Sequence, residues 1–268
     1  MAKLREKPLR VTKAYAERVL RRATTSFRML PGAMIIGGMR CGSSSAFRAL
    51  AQHSGIAASG FKEVHFFDVA FHRGVSWYRS FFPFADDKIL AMEATPSYMA
   101  HGLAASRAHS VVPDARVIAL LRDPVERTWS HYKFRSYRGF ESRTFAEIVE
   151  EETKLPIDGP PPAFSSLEEM SIIQASLYAR QLRPWIEAFG RDHVIVVDAD
   201  MLFESPDSVL KQLQVDLGLR PENLDLPTRN SSPKEPRDPG LMRELESYYE
   251  APNKDLESLL GRSMSWSD

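Results

Sequence analysis

The sequence contains very little cysteine and no excess of charge of either sign. Cys41 is the single cysteine in 268 residues, which excludes a disulfide within the chain and a cysteine-based zinc site. Lysine and arginine number 35, as do aspartate and glutamate, so the chain lacks the positive charge typical of nucleic-acid binders. We therefore expect no nucleic-acid partner, and a cytoplasmic protein, since a lone thiol suits a reducing compartment.

Long hydrophobic runs are absent as well. The apolar runs at 117–121 and 194–197 have the length of β-strands, whereas a helix needs about 18 to 20 apolar residues to cross a bilayer. No continuous apolar stretch follows the basic start of the chain, so we expect no cleaved signal peptide. With 43% apolar and 26% charged residues, the composition is that of a globular protein with a core.

Positive charge is concentrated in residues 1–31. This segment has nine basic and two acidic residues, a net charge of 9 − 2 = +7, which leaves −7 on the remainder. Two interpretations stay open: a surface helix that packs one stripe on the domain, and a basic amphipathic helix in peripheral contact with a membrane or a partner. We divide the chain into this basic segment, expected to be helical, and a single domain at 32–268.

The rest of the chain alternates short apolar runs with helical patterns. Strands are expected at 33–37, 89–92, 117–121 and 194–197, an extended segment at 63–68, and helices at 46–52, 103–110 and 171–188, the last disturbed at Pro184. Asp123, Pro124 and Glu126 form a helix-start signal for a further helix. Strands that alternate with helices predict an α/β fold, a three-layer sandwich in which helices flank a central parallel sheet.

Residues 37–44, GGMRCGSS, lie between the first strand and the next helix. The two glycines have the spacing of the phosphate loop G-x-x-x-x-G-K-[ST], but Ser43 replaces the lysine. A strand that turns through glycine into a helix directs backbone N–H groups at an anion, so we expect a phosphate or sulfate here. The missing lysine argues against ATP or GTP, whereas the Arg40 guanidinium suits phosphate or sulfate oxygens. The alternative is a glycine-rich turn without a ligand.

Residues 120–132, LLRDPVERTWSHY, contain a second candidate anion site. Arg122 ends a strand, and Ser130 shares a face of the following helix with Asp123 and Arg127 at helical spacing. Arg122 and Ser130 are therefore expected to converge on one anion. The alternative is that Arg122 is paired with a carboxylate and Ser130 is solvated.

Residues 62–68, KEVHFFD, contain a candidate base. In an extended chain Glu63 and His65 point to the same side, which places a carboxylate next to an imidazole. Such a pair suits proton removal by Glu63 with help from His65. A purely structural role for both residues is the alternative.

Taken in order, these three stretches resemble the sulfotransferases that use 3′-phosphoadenosine 5′-phosphosulfate (PAPS), in particular the Golgi glycosaminoglycan type and its bacterial relatives. The resemblance runs from about residue 33 to the C-terminus and includes EATPSYM at 93–99 and YYEAPNKDLESLLGRSMSW at 248–266. It implies a P-loop-like fold and transfer of a sulfuryl group from PAPS to an acceptor hydroxyl on a carbohydrate or glycoside. No metal is required by this scheme.

The resemblance also implies roles for individual residues. One group would hold the 5′-phosphosulfate: Arg40, Cys41, Gly42, Ser43, Ser44 and Ser45. Arg122 and Ser130 would hold the 3′-phosphate, and Lys234 in the proline-rich segment at 221–240 would reach over the nucleotide. Glu63 would act as the catalytic base, with His65 orienting Glu63 or the acceptor.

Two departures from the family pattern concern catalysis and the acceptor. Arg40 aligns with the family's catalytic lysine; because arginine does not release a proton at ordinary pH, Arg40 is expected to stabilise charge on the leaving phosphate but not to act as a general acid. Ala94 stands where the glycosaminoglycan enzymes have a lysine near the acceptor. With the zero net charge, this argues against a heparan-like polyanion as acceptor.

Four basic residues follow the second anion stretch: Lys133, Arg135, Arg138 and Arg143. They fit two interpretations, attraction of a small anionic sugar or glycolipid and a solvated surface. The identity of the acceptor and the oligomeric state stay open at this point.

Two other functions remain as alternatives. The first is a P-loop kinase that uses Mg-ATP, in which Asp198 of VIVVDAD at 194–200 would hold Mg²⁺. The second is a binding module that retains the nucleotide without turnover, an interpretation suggested by Arg40 in place of lysine.

Overall fold

The computed structural model describes residues 24–227 and 236–267. Most of the basic segment at 1–31, and Lys234, lie outside the described residues, so their suggested membrane and nucleotide contacts stay predictions. Within the described ranges, no helix is both long and apolar enough to span a bilayer.

A five-stranded sheet forms the centre of the fold. Its strands are β1 (Ala33–Gly37), β2 (Ile56–Ala58), β3 (Leu90–Ala94), β4 (Arg116–Leu121) and β5 (Val194–Asp198). Their order is β2-β3-β1-β4-β5 and every pair is parallel. The predicted parallel sheet is therefore confirmed. The edge strand β2 was missed because three residues are too few to produce a recognisable apolar pattern.

Helices cover both faces of this sheet. They are α1 (Ser43–Leu50), α2 (Val75–Arg79), α3 (Ala104–Val111), α4 (Pro124–Tyr137), α5 (Phe145–Glu152), α6 (Tyr178–Phe189), α7 (Ala199–Glu204), α8 (Pro206–Asp216) and α9 (Pro239–Leu260). The α/β sandwich expected from the sequence is confirmed.

Neighbouring residues of each strand point to opposite faces of the sheet, because side chains alternate along a strand, and they therefore pack in different parts of the core. Ala33 and Ile35 pack with α1 and α8 on one face. Met34 and Ile36 pack with α3, α6 and the end of α9 on the other. Burial on both faces explains why the strands read as continuous apolar runs rather than as alternating patterns.

Helix α4 begins where its sequence signal predicts. The Asp123 side chain accepts a hydrogen bond from the backbone N–H of Glu126 at 2.8 Å, and Pro124 occupies the first turn. The helix packs against α5 and α9 through an apolar cluster that includes Trp129 and Tyr249. This packing holds Ser130 in place at the carboxyl end of the sheet.

The helix predicted over 171–188 is shorter in the structure. It begins only at Tyr178, because the chain leaves the helical region at Leu177 (φ −80°, ψ 73°) after a short 3-10 turn over Gln174–Ser176. Ahead of this turn, the Glu152 carboxylate accepts the backbone N–H of Ile173 at 2.9 Å. Pro184 lies within α6 and does not end it.

The segment 63–68 is a turn, not an extended segment. Glu63 and His65 have φ angles of 64° and 56°, in the left-handed region. The Glu63 N–H bonds to the carbonyl of Ala94 at 2.9 Å, and the Phe66 N–H donates to the Tyr98 hydroxyl at 2.8 Å. Contacts with the end of β3 and the chain that follows it thus replace a strand ladder, which no local pattern reveals.

Candidate active site

A cavity of about 1060 Å³ opens at the carboxyl ends of the strands. The chain leaves β1 toward β2 and β3 on one side of the sheet and passes to β4 on the other, so the strand order reverses beside β1. Parallel sheets leave a crevice for ligands at such a reversal. Residues that follow three neighbouring strands line this crevice: Arg40 after β1, Pro96 after β3 and Arg122 after β4.

Two glycines allow the loop after β1 to adopt its shape. A Cβ on Gly37 would lie 2.5 Å from Sδ of Met99, and Gly42 adopts a φ of 81° at the start of α1. No side chain caps the N-terminus of α1, so its first N–H groups are directed at the cavity end of the helix. Ser43, Ser44 and Ser45 line the cavity as well.

Cys41 occupies a different position from its neighbours. Its side chain is completely buried, and its Sγ lies 3.8 Å from the Tyr178 hydroxyl. Burial raises the pKa of the thiol. The Cys41 side chain therefore contributes to the interior, and any ligand contact of this residue is left to its backbone.

Arg127 supports the loop from behind instead of facing the cavity with Ser130. Arg127 was expected on the same helix face as Ser130, but its side chain is fully buried and does not line the cavity that Ser130 lines. Its Nε donates to the carbonyl of Met39 at 3.1 Å, and its Nη1 donates to the carbonyl of Ile172 at 2.6 Å. These carbonyls attract the long side chain inward, which helical spacing alone does not reveal.

The two predicted anion stretches meet at Arg40 and Ser130. The Arg40 Nε donates a hydrogen bond to Ser130 Oγ at 3.2 Å, and the Arg40 guanidinium lies 5.0 Å from the centre of the Phe134 ring. Arg40 adopts a backbone φ of 70°, a conformation that is uncommon for residues other than glycine. Arg122 and Ser130 line the same cavity, and their convergence on one anion stays a prediction.

Arg122 also has carboxylate partners, as the alternative interpretation expected. Its Nη2 lies 3.2 Å from Glu126 Oε2, and its Nε lies 3.9 Å from Asp200 Oδ1. Glu126 forms a second ion pair with Arg237, and the hydrogen bond from Arg237 is the main cause that lowers the pKa of Glu126. Sequence reasoning missed these cavity-lining partners because Glu126 was interpreted only as a helix-start residue.

The candidate base belongs to a short chain of polar contacts. Glu63 Oε1 accepts from Lys62 Nζ at 2.5 Å, and Glu63 Oε2 lies 3.8 Å from His65 Nε2. On the other side of the ring, His65 Nδ1 lies 2.9 Å from Asp68 Oδ2, which also accepts from Ser97 Oγ at 2.6 Å. Asp68 was not singled out from the sequence, although it lies within the same seven-residue stretch.

These contacts determine the protonation states of Glu63 and His65. The hydrogen bond with His65 is the main cause that lowers the pKa of Glu63 to about 2, against the opposing effect of burial. Burial also opposes charge on His65, but the bonds to Asp68 and Glu63 outweigh it and raise the pKa of His65 to about 9. At neutral pH the site therefore holds an ionised carboxylate next to an imidazolium.

A family model described as a sulfotransferase domain matches residues 30–248. The chain belongs to the sulfotransferase family. It is 28% identical to heparan sulfate glucosamine 3-O-sulfotransferase 3A1 of Mus musculus, covering 89% of this chain and 65% of that protein. It is 27% identical to heparan sulfate glucosamine 3-O-sulfotransferase 6 of Homo sapiens, covering 89% and 74%.

Solved structures agree with this assignment. A sulfotransferase from Alicyclobacillus acidocaldarius superimposes with a TM-score of 0.75 at 25% identity, covering 89% of this chain and 99% of that one. The sulfotransferase domain of the Synechococcus PCC 7002 olefin synthase, with a TM-score of 0.50 at 18% identity, shares the fold. The predicted family and fold are confirmed, and sulfotransferases take the sulfuryl group from PAPS.

In this sulfotransferase, the segment EATPSYM at 93–99 supports the turn that carries Glu63. Ser97 bonds to Asp68, and the Tyr98 hydroxyl accepts the Phe66 N–H. Behind them, Glu93 is completely buried and accepts from Thr95 Oγ1 at 2.9 Å; burial raises the pKa of Glu93 to about 7. Ala94 is buried and does not line the cavity, so it offers no group to an acceptor.

The four basic residues after Ser130 divide into two pairs. Arg135 is buried and donates to backbone carbonyls, and Arg143 forms ion pairs with three glutamates. Lys133 and Arg138, the other pair, line the cavity, as Arg135 also does, and Lys133 lies over the ring of Trp129. The sulfotransferase therefore uses two of the four for its own structure.

Asp198 uses its carboxylate within the fold. Its Oδ1 accepts the N–H groups of Asp200 and Met201 at 3.0 and 3.2 Å, and its Oδ2 accepts the N–H of Ser265 at 2.9 Å. These bonds cap α7 and fix the C-terminal tail. In the part of the chain that the structure describes, no group of three or more histidine, cysteine or acidic residues is arranged to hold a metal ion.

Proposed function

We propose that this sulfotransferase transfers the sulfuryl group of PAPS to a hydroxyl of a carbohydrate or glycoside, with Glu63 as base. The observation that carries the proposal is the contact between Arg40 and Ser130, which joins both anion stretches in the cavity that Glu63 also lines. The two relatives are named as sulfotransferases of heparan sulfate glucosamine, and these names support a carbohydrate acceptor.

The charges and donors of the cavity suit a nucleotide with phosphates at two positions. Its lining includes six lysine and arginine residues against four aspartate and glutamate residues. The uncapped start of α1 adds backbone N–H groups and the positive end of a helix dipole. The volume of about 1060 Å³ accommodates a nucleotide together with part of an acceptor.

The chain's own residues would hold the two ends of this nucleotide. Arg40 and the serines at 43–45 face the 5′-phosphosulfate, and Arg122 and Ser130 face the 3′-phosphate, the group that distinguishes PAPS from ATP. Lys234 is proposed to cover the nucleotide from the late loop. Because Arg40 keeps its proton, its role is to stabilise negative charge as the bond between sulfur and the phosphate oxygen breaks.

Glu63 is proposed to receive the proton of the acceptor hydroxyl. PAPS supplies a sulfuryl group already bonded to a good leaving group, and in such a loose transition state the nucleophile needs little activation. A carboxylate of low pKa is then sufficient, because the hydroxyl becomes acidic as its oxygen bonds to sulfur. His65, held by Asp68, orients Glu63 and balances its charge.

The acceptor is proposed to be a small glycoside rather than a heparan-like polyanion. Arg135 and Arg143 are engaged within the protein, and Ala94 is buried. The lining has a net charge of 6 − 4 = +2, less than the negative charge of a nucleotide with a 3′-phosphate and a 5′-phosphosulfate, so no excess positive charge is left for a polyanionic acceptor. Phe134, Phe140 and Leu167 provide apolar surface for the non-hydroxyl face of a sugar or its aglycone.

Nucleotide titration and a transfer assay test the proposal and its alternatives. Calorimetry with adenosine 3′,5′-bisphosphate in the presence of a chelator should give micromolar binding, and Mg-ATP should bind more weakly. Radiolabelled PAPS should then label at least one compound in a panel of neutral and singly charged glycosides. Preference for Mg-ATP would support a kinase, and binding without transfer to any acceptor would support an inactive nucleotide-binding module.

A further inference from the structure

His131 is a buried titratable residue to which the proposed reaction assigns no role. It follows Ser130 on α4, and only 1% of its surface is exposed. Nevertheless it belongs to the lining of the cavity, next to Ser130 and Phe134. Its side chain therefore closes part of the cavity wall beside the contact between Arg40 and Ser130.

A neighbouring arginine determines which ring nitrogen of His131 carries the hydrogen. The Arg127 Nη2 lies 2.8 Å from His131 Nδ1. Since a guanidinium only donates, Nδ1 must accept and the hydrogen must be on Nε2. Burial lowers the pKa of His131 well below its ordinary value, and the charges of Arg127, Arg135 and Arg40 add to this effect. The ring is therefore a neutral Nε2–H donor.

The Nε2–H of His131 has no acceptor within residues 24–227 and 236–267. The Nε2 atom is not fully enclosed by the described residues, so a ligand in the cavity can reach it. One turn along the helix, the Nε of buried Arg135 has no partner either. Arg135 Nε is enclosed behind the wall, so of these two donors only the Nε2–H of His131 is within reach of a ligand in the cavity; buried donors of this kind are normally satisfied.

Arg127 strengthens the case for an anion at this place. Its guanidinium is fully buried, and its bonds go to the neutral acceptors Met39 O, Ile172 O, Ser176 Oγ and His131 Nδ1. A buried positive charge without a carboxylate is costly unless another anion approaches it. The ring of His131 lies between this charge and the cavity.

We propose that His131 is a further nucleotide-binding residue, which donates its Nε2–H to a phosphate oxygen of the bound bisphosphate beside Ser130 and Arg40. This inference rests on the proposed function, because it requires the nucleotide in this cavity. Arg127 has two roles in it: it supports the loop after β1 through Met39, and it keeps the imidazole in the donor tautomer.

Two substitutions separate this binding role from a structural one. In His131→Asn the amide oxygen takes the place of Nδ1 and still accepts from Arg127, but nothing replaces the Nε2 donor. In His131→Gln the amide reaches the position of Nε2 and keeps a donor there, while the acceptor for Arg127 is lost. Both variants are compared with the unsubstituted chain by calorimetry with adenosine 3′,5′-bisphosphate and by thermal unfolding.

The expected result is opposite behaviour of the two variants. His131→Asn should unfold close to the unsubstituted chain but bind the bisphosphate at least about tenfold more weakly, the loss typical of a hydrogen bond to a charged group. His131→Gln should be less stable yet bind within about threefold of the unsubstituted chain. If the loss for His131→Asn disappears with adenosine 5′-monophosphate, the partner is the 3′-phosphate; if it persists, the partner is the 5′-phosphate.

The proposal is overturned if His131→Asn binds the bisphosphate as tightly as the unsubstituted chain, or if both variants lose affinity in proportion to their stability. It is also overturned if only the KM for the acceptor changes, since His131 would then contact the acceptor. Failure of the proposed function gives a different result, because the unsubstituted chain itself would then not bind the bisphosphate.

Discussion

Arg40 Nε lies 3.2 Å from Ser130 Oγ, although 90 positions separate the two residues in the sequence. One belongs to the loop after β1, and the other to the helix after β4. Because β1 and β4 are neighbouring parallel strands, their carboxyl ends meet at one edge of the sheet. The contact brings the two anion stretches of this sulfotransferase close enough to hold a single small molecule.

Arg122→Ala should weaken the binding of adenosine 3′,5′-bisphosphate by about 10- to 100-fold, since a charge-assisted hydrogen bond contributes about 1.5 to 3 kcal/mol. Calorimetry measures the effect. Arg183→Ala is the matched control, because Arg183 forms an exposed ion pair with Asp255 and does not line the cavity. Equal affinity of the two variants would remove Arg122 from the nucleotide site.

Glu63→Gln should leave bisphosphate binding nearly unchanged and lower the rate of sulfuryl transfer by about 10², the lower end of the usual contribution of a general base, because a loose transition state needs little activation of the nucleophile. The amide keeps the shape of the side chain but does not take up a proton. Single-turnover transfer from labelled PAPS gives the rate. A variant with unchanged turnover would show that another group removes the proton.

Arg40→Lys should retain part of the activity, because it preserves the positive charge at the loop while losing the planar group that contacts Ser130 and Phe134. Arg40→Ala should lose about 10² or more in turnover, the effect typical of removing a group that stabilises transition-state charge. Turnover of both variants is measured at saturating PAPS. Identical rates would exclude Arg40 from the chemistry.

The contribution of the Glu63 and His65 pair to the free energy of unfolding should depend on pH. The folded pKa of His65, about 9, exceeds its ordinary value of 6.5. Its contribution is therefore complete below pH 6.5 and is lost as the pH rises through about 9, by roughly 1 to 3 kcal/mol. Urea unfolding of the unsubstituted chain and of His65→Gln at several pH values measures the difference. A difference between the two chains that stays constant from pH 6 to 10 would contradict the raised pKa.

Asp198→Ala should lower the free energy of unfolding by about 1 to 3 kcal/mol, because three backbone N–H groups lose their acceptor. Bisphosphate binding should not change. Asp198→Asn, which keeps one oxygen, should have a smaller effect on stability. Loss of Mg-ATP binding without loss of stability would instead favour the kinase alternative.

Elements that depend on neighbouring residues were predicted well. The start of α4 follows from Asp123, Pro124 and Glu126, and the central strands follow from apolar runs buried on both faces. Elements shaped by distant partners were not. The Glu152 carboxylate binds Ser171 and Ile173 in the irregular segment ahead of α6, and the Glu63 N–H bonds to the carbonyl of Ala94 at the end of β3, in the turn at 63–68. In each case the decisive bond joins residues far apart in the chain.

The sequence by itself determined the sulfotransferase family, the alternation of strands and helices, and which chemical groups follow each strand. These properties depend on residue type and on local spacing. Only the tertiary structure decided that Arg127 turns inward, that Glu126 is shared by Arg122 and Arg237, and that His131 presents a donor to the cavity. Such arrangements depend on how α4 packs against the loop after β1. Sequence spacing does not determine the distance between these two elements.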